Sequence, residues 1–428
     1  MNNKKPFIIC VDDEKFILDT LNVQLQKRFG EHYDFEFAER AEEAIEIVKE
    51  LSERNETVAM IISDQRMPGM TGDQLLIEVH KHHPKPVKIL LTGQASLESA
   101  VNAINHANLY RYIAKPWNQE DFLLTIEKGL QQYELFLSNE KQLTLFKKFV
   151  PEHFIQALGI GSLDEIRLGN HVERNMCIFF SDIRGFTTLS ERLTSEENYQ
   201  FLNQYIQCVE PAILNNNGFI DKFLGDGILA LFYNITDGVK AAMETQKLIA
   251  QFNQDHQNSP FGPIQTGIGL HFGELMLGII GVEDRLQGTV ISDAVNLASR
   301  IQGLSSPLGA PILATAEVIS QIKNDNLDFS YRLAGRTQVR GKSSVVTVYE
   351  LLDPSSNSNA TAKMKTRADF ERGIELYWQK NFAEACVVFK NILNEVPNDR
   401  TAEIYLKKSA SYIVSGVPEN WKGTDLID

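Results

Sequence analysis

The sequence predicts an α/β protein of several domains: a parallel sheet covered by helices, a second mixed domain, and a short helical tail. Three observations carry this. Over residues 1–138, apolar runs "PFIICV", "VAMIIS" and "PVKILLTG" alternate with helix-like segments such as "KFILDTLNVQLQKRF" and "AEEAIEIVKEL", the pattern of a parallel sheet buried on both faces. Over residues 171–352, "NMCIFFSDIRGFTTLSERL" reads as a buried strand, a turn and a helix, and "DKFLGDGILALF" (221–232) as a hairpin. Beyond these, the Ser/Asn-rich "DPSSNSNATAK" (353–363) reads as a linker before the tail.

The 428 residues suffice for two or three domains, each with its own core. A hydrophobic content of 43% and a charged content of 23% are ordinary for a soluble protein. No apolar run approaches the roughly 18 residues of a membrane span. The N-terminal "MNNKKPFIICVDDEK" turns acidic too soon for a secretory signal. Cys10, Cys177, Cys208 and Cys386 are scattered without metal or disulfide spacing and read as small core residues in a reducing compartment. A cytoplasmic protein is expected. The net charge of −14 disfavours a nucleic-acid partner. Nucleotides stay open, because bound divalent metals supply local positive charge.

Ligands of a parallel sheet gather at the carboxyl ends of its strands. There the sequence places Asp12 and Asp13, then Asp64, Thr92 and Lys115. Three carboxylates at one strand edge repel one another unless a divalent cation joins them, and Mg²⁺ favours such oxygen ligands. With "VDDE", "IISDQRMPGMTG", "LLTG" and "YRYIAKPW" in order, residues 1–138 resemble a response-regulator receiver domain, a flavodoxin-like doubly wound fold. The resemblance implies that Asp64 is the phosphoacceptor and that Asp12 and Asp13 complete one Mg²⁺ site. It further implies that Thr92 and Lys115 contact the phosphoryl group, that Tyr112 follows Thr92 in the switch, and that a sensor histidine kinase is the phosphodonor. "HKHHPK" (80–85) reads as a solvated helix end before Pro84, since no acidic or Cys partner for a metal is nearby.

In the second domain Asp182 leaves a strand end. The following turn "IRGFTT" exposes N–H groups at a helix start, a cradle for phosphates. In the hairpin, Lys222 interrupts the first strand and Asp226 sits at the tip. Alone, each has a plain reading: a snorkelling strand lysine and a residue chosen for turn geometry. Together, Asp182 and Asp226 could clamp a pair of metal ions over a triphosphate. "GRTQVRGKS" (335–343) has five residues between its glycines where a P-loop has four, and strand-like flanks exclude that motif.

"FSDIRGFT", "KFLGDGILALF", "GLHFGELMLGIIG" and "GTVISDAVNLASRI", in this order, make residues 171–352 resemble the class III nucleotide cyclase catalytic domain, an α+β ferredoxin-like fold. The resemblance implies that Asp182, Asp226 and the Ile183 carbonyl hold two Mg²⁺ or Mn²⁺ ions per site. It implies that Asn296 positions the ribose, that Arg300 stabilises the pentavalent phosphorus, and that Phe186, Thr187 and Lys342 meet the triphosphate. Asn296 and Arg300, four apart on an expected helix, share a face, and an arginine fork suits phosphoryl oxygens. Lys222 matches the lysine that donates to adenine N1; guanine N1 carries a hydrogen and could not accept. Thr289 stands where many adenylate cyclases have Asp, and its hydroxyl can accept from the adenine 6-amino group. The Lys222/Thr289 pair resembles the class IIIb subgroup, several members of which respond to bicarbonate. In this family the catalytic domains form a head-to-tail homodimer with shared sites. The implied activity is a phosphorylation-regulated adenylate cyclase making cyclic AMP and pyrophosphate from ATP. A guanylate cyclase and a catalytically silent signalling scaffold are the alternatives.

Three further segments complete the expected organisation. Residues 139–170 form a helical connector, with apolar spacing that runs up to Pro151. Residues 353–365 form the linker. In the tail, 366–428, Gly373, Ala385, Phe389 and Pro397 fall at tetratricopeptide spacing. One repeat and part of another cannot stand alone, so the tail is expected to pack on the catalytic domain or cap the dimer, ahead of binding another protein.

Overall fold

The computed structural model describes residues 4–93, 106–149, 152–162, 165–282, 285–324, 329–338, 345–353, 358–419 and 421–424. They fall into two units, Met1–Phe146 and Lys147–Asp428.

In the first unit, β1 (Phe7–Val11), β2 (Asp34–Ala38), β3 (Val58–Asp64), β4 (Val87–Thr92) and β5 (Arg111–Ala114) form a parallel sheet in the order 2-1-3-4-5. This is a doubly wound order. The helices are α1 (Lys15–Phe29), α2 (Ala41–Glu53), α3 (Gly72–His82) and α4 (Gln119–Phe149). Ile8 and Cys10 face a core with Leu21 and Leu25 of α1 and Phe122 and Ile126 of α4. Ile9 and Val11 face a second core with Val48 of α2 and Leu76 and Val79 of α3. Because successive strand residues point to opposite faces, both faces being covered explains the unbroken apolar run. Helix α4 is described up to Phe149.

The second unit opens with α5 (Glu152–Ala157) and then builds a β-α-β-β-α-β core. Its elements are β6 (His171–Ile183), α6 (Phe186–Ser190), α7 (Ser195–Leu214), β7 (Gly218–Leu224), β8 (Gly227–Phe232), α8 (Ile235–Asp255) and β9 (Thr266–Val282). The order β9-β6-β8-β7, antiparallel throughout, is the ferredoxin-like arrangement. β10 (Arg285–Ile291) folds back on β9 and leads into α9 (Asp293–Gly303) and α10 (Ser305–Leu308). β11 (Ile312–Thr315), α11 (Ala316–Asn324), β12 (Ser330–Gln338) and β13 (Val345–Leu352) extend the sheet beyond β9. One face packs Phe201, Tyr205 and Val209 of α7 and Val239 of α8 onto Phe179, Phe232 and Leu270. The other face packs Ala294 and Ala298 of α9 onto Met176, Ile178 and Leu277. Phe154 of α5 is buried in that same cluster, so this part of the expected connector is built into the second unit.

Of the linker expected over 353–365, residues 354–357 lie outside the described residues, and Ser358–Lys365 form a helix, α12, with Ala360 and Lys363 buried. A polar composition concealed a segment of good helix formers, Ala and Lys, with one face covered. Three helices follow: α13 (Arg367–Trp378), α14 (Phe382–Glu395) and α15 (Arg400–Ser415). Their Phe370, Tyr377, Phe389 and Tyr405 share a core with Ile301 and Leu308, at the end of α9 and in α10, and with Leu313 and Val348 of the sheet.

A buried ion network fastens this tail. The Arg332 guanidinium on β12 donates to Glu350 Oε2 at 2.7 Å and to both oxygens of Asp399, at 2.5 and 2.9 Å. Lys363 Nζ donates to Glu350 Oε1 at 2.7 Å. Burial by itself raises the Asp399 carboxyl, but the bond to Arg332 outweighs it and holds the group below its ordinary range. Asp399 therefore stabilises the fold above about pH 4, and that contribution is lost as pH falls through the folded-state value. Asp399→Ala would leave a fully buried arginine short of a partner. We expect a loss of about 3–5 kcal/mol, measured by denaturant unfolding of the full chain at neutral pH and shrinking toward acid pH.

Candidate active site

The buried run Met176–Phe179 carries β6 through the core and delivers Asp182 and Ile183 to its end. Leu224 pairs with Gly227, so Gly225 and Asp226 alone form the β7–β8 loop. Gly225 has φ +70°, a left-handed backbone that glycine adopts without strain. The turn brings Asp226 over the end of β6. The Ile183 N–H lies 3.1 Å from Asp182 Oδ1 and 3.3 Å from Asp226 Oδ2. Burial first, then the hydrogen bond to Asp226 and its charge, push the Asp182 carboxyl up to about 7. Among the described residues no basic side chain pairs with either carboxylate. Two facing carboxylates need a proton or a cation between them. These oxygen donors, beside the Ile183 main chain, fit a divalent metal ion.

Arg184 anchors this turn. Its Nη2 donates to Ser305 O at 2.9 Å and Ala310 O at 2.8 Å, and its Nη1 to Gln265 Oε1 at 3.4 Å. Sequence reasoning passed over it inside "IRGFTT"; a cation entering a half-buried turn was the available signal. Gly185, at φ +70°, then starts α6. Phe186 stacks on Phe201 with ring centroids 6.4 Å apart, so its main-chain N–H is what it can offer a ligand, whereas Thr187 is exposed.

The same hairpin sends its lysine elsewhere. Lys222 Nζ donates to Thr289 Oγ1 on β10 at 3.2 Å and lies 3.2 Å from Asp221 Oδ2. Asn296 and Arg300 stand exposed, four residues apart on α9. That helix lies hard against β9: a Cβ on Gly269 would fall 2.4 Å from Ala298 O. Asp182, Ile183 and Asp226 thus form one group, Lys222 and Thr289 a second, and Asn296 and Arg300 share a helix face. Lys342 lies outside the described residues. The strands before and after it pair up to Gln338 and Val345 as a hairpin, unlike the strand–loop–helix of a P-loop.

In the first unit, Asp12 follows β1, Asp64 ends β3, Thr92 ends β4 and Lys115 follows β5. Lys115 Nζ sits 2.5 Å from both Asp12 Oδ2 and Asp64 Oδ1. Burial raises the Asp12 carboxyl despite that neighbour. Asp13 and Tyr112 are exposed and Thr92 is buried. A Cβ on Gly72 would lie 2.0 Å from Asp64 O, so only glycine lets the chain pass this closely. Asp12 and Asp64 thus meet at adjacent strand ends around Lys115, while Asp13 does not join them: among the described residues no cluster of three carboxylates is gathered closely enough to hold a metal ion.

Comparison with known proteins finds matches over two stretches of the chain. Residues 8–127 match the model of the response regulator receiver domain. Residues 170–352 match that of the adenylate and guanylate cyclase catalytic domain. A terminal-differentiation specific adenylate cyclase of Dictyostelium discoideum is 33% identical over 62% of this chain and 13% of its own length. An adenylate cyclase of Anabaena cylindrica is 38% identical over 50% of this chain and 43% of its own. The chain thus spans less than half the length of either relative. The crystal structure of the adenylyl cyclase CyaB from P. aeruginosa is 31% identical over 43% of this chain and 96% of its own, with a TM-score of 0.38. The chain therefore joins a response regulator receiver domain to an adenylate and guanylate cyclase catalytic domain.

Proposed function

We propose that the protein is an adenylate cyclase, converting ATP to 3′,5′-cyclic AMP and pyrophosphate, with its rate set by phosphorylation of Asp64 by a sensor histidine kinase. The observation that carries the choice of base is the Lys222–Thr289 hydrogen bond of 3.2 Å. It holds an ammonium donor beside a hydroxyl acceptor, complementary to adenine N1 and its 6-amino group and not to guanine N1–H. The names of both relatives support the same reading.

Two divalent ions at Asp182, Asp226 and the Ile183 carbonyl would lower the pKa of the ribose 3′-hydroxyl and offset the charge of the departing pyrophosphate. The chain's own residues do the rest. Asn296 holds the ribose so that its 3′-oxygen faces the α-phosphorus in line. Arg300 donates its fork to the equatorial oxygens as their charge builds. The main-chain N–H groups at the start of α6, with Thr187 and Lys342, bind the triphosphate. Because one hairpin serves both the carboxylate group and the base group, the proposed site is shared: Asp182 and Asp226 of one protomer meet Lys222, Thr289, Asn296 and Arg300 of its partner in a homodimer. The tetratricopeptide-like tail braces α9, through the core it shares with Ile301.

The test is to supply purified protein with ATP or GTP, each with Mg²⁺ or Mn²⁺, and to identify the products. Cyclic AMP from ATP formed in clear preference to cyclic GMP from GTP supports the reading; the reverse preference makes it a guanylate cyclase.

A further inference from the structure

Asp221 is a buried acid that the proposed reaction does not use. Its side chain is 2% exposed. Its Oδ2 accepts no hydrogen bond of good geometry, and the charge nearest to it is Lys222 Nζ at 3.2 Å. Neighbours on a regular strand point to opposite faces. Here the β7–β8 register shifts between Ile220 and Lys222, so that Ile220 faces Ala230 while Lys222 faces Leu229. Asp221 is the extra residue of a β-bulge, a device that re-aims side chains beside active sites. The bulge brings Asp221 and Lys222 together, and a carboxylate buried at this depth is tolerated only beside a compensating charge.

We infer that Asp221 is a positioning residue for base selection, acting through Lys222. The ammonium lies between Asp221 Oδ2 and Thr289 Oγ1, each 3.2 Å away. One of its donors is directed to Thr289, Asp221 faces it as the opposite charge, and the remaining donors are left for the base. Without Asp221, the lysine swings more freely and can donate to the carbonyl oxygen of guanine as readily as to adenine N1. With Thr289 neutral where a carboxylate could stand, Asp221 supplies the negative charge of the base pocket from behind the lysine. This role rests on the reading of Lys222 as the adenine donor.

The test uses full-length Asp221→Asn, Lys222→Ala and the double variant, with kcat/KM measured separately for ATP and GTP. Asp221→Asn should lower the ATP-over-GTP preference roughly tenfold, the effect of misaligning one charged hydrogen bond. It should do so mainly through ATP, and the double variant should be no less selective than Lys222→Ala. Should Asn unfold the domain, as judged by thermal melting, the smaller Asp221→Ser repeats the measurement. Equal losses for the two nucleotides, or effects that add fully in the double variant, would mean a structural role only and overturn the inference while leaving Lys222 as the adenine donor. A Lys222→Ala protein with unchanged preference overturns the adenine reading and the role of Asp221 together.

Discussion

Asp226→Ala and Arg300→Ala proteins, each expected to lose on the order of 10³-fold in turnover, should recover activity when co-expressed. Asp226 faces Asp182 and Ile183, while Lys222 of the same hairpin turns to Thr289. In a shared-site homodimer, a mixed pair carries one doubly damaged site and one intact site. Random pairing makes half the dimers mixed, each with one working site of two, so recovery should approach roughly a quarter of wild type. Tagging the two chains differently and purifying through both tags isolates the mixed dimers. Inactive mixed dimers would mean that each chain builds its own site, and the proposed division of residues would fail.

The second large effect concerns the receiver. Asp64 ends β3 within 2.5 Å of Lys115, which also holds Asp12. On the proposed reading, this carboxylate beside a cation is the one that accepts the phosphoryl group. Asp64→Asn should abolish labelling by a small-molecule phosphodonor. Cyclase activity of the variant should no longer respond to that donor in either direction. A response equal to wild type would remove the receiver from the control of catalysis.

Much of this was legible in the sequence because it is written in local patterns. Unbroken apolar runs marked the parallel strands of the first sheet, and the Gly-Asp-Gly sequence marked the β7–β8 turn. The strand-end carboxylates Asp12, Asp64 and Asp182 could be placed for the same reason. What escaped depends on distant partners. Arg184 gains its meaning from carbonyls 121 and 126 residues away, and Arg332 from Asp399, 67 residues away. Asp221 went unremarked, because a bulge is a property of two paired strands. Lys363, polar by type, is buried on Glu350, which no count of Ser and Asn in the expected linker reveals.

The measurement that bears most directly on the central claim is cyclic AMP production from ATP by the purified full-length chain, with Mg²⁺ or Mn²⁺, before and after treatment with the phosphodonor. The account predicts cyclic AMP and pyrophosphate in equal amounts, at a rate that changes on phosphorylation. An absence of cyclic AMP in both states, with the protein folded and Asp64 labelled, would contradict it.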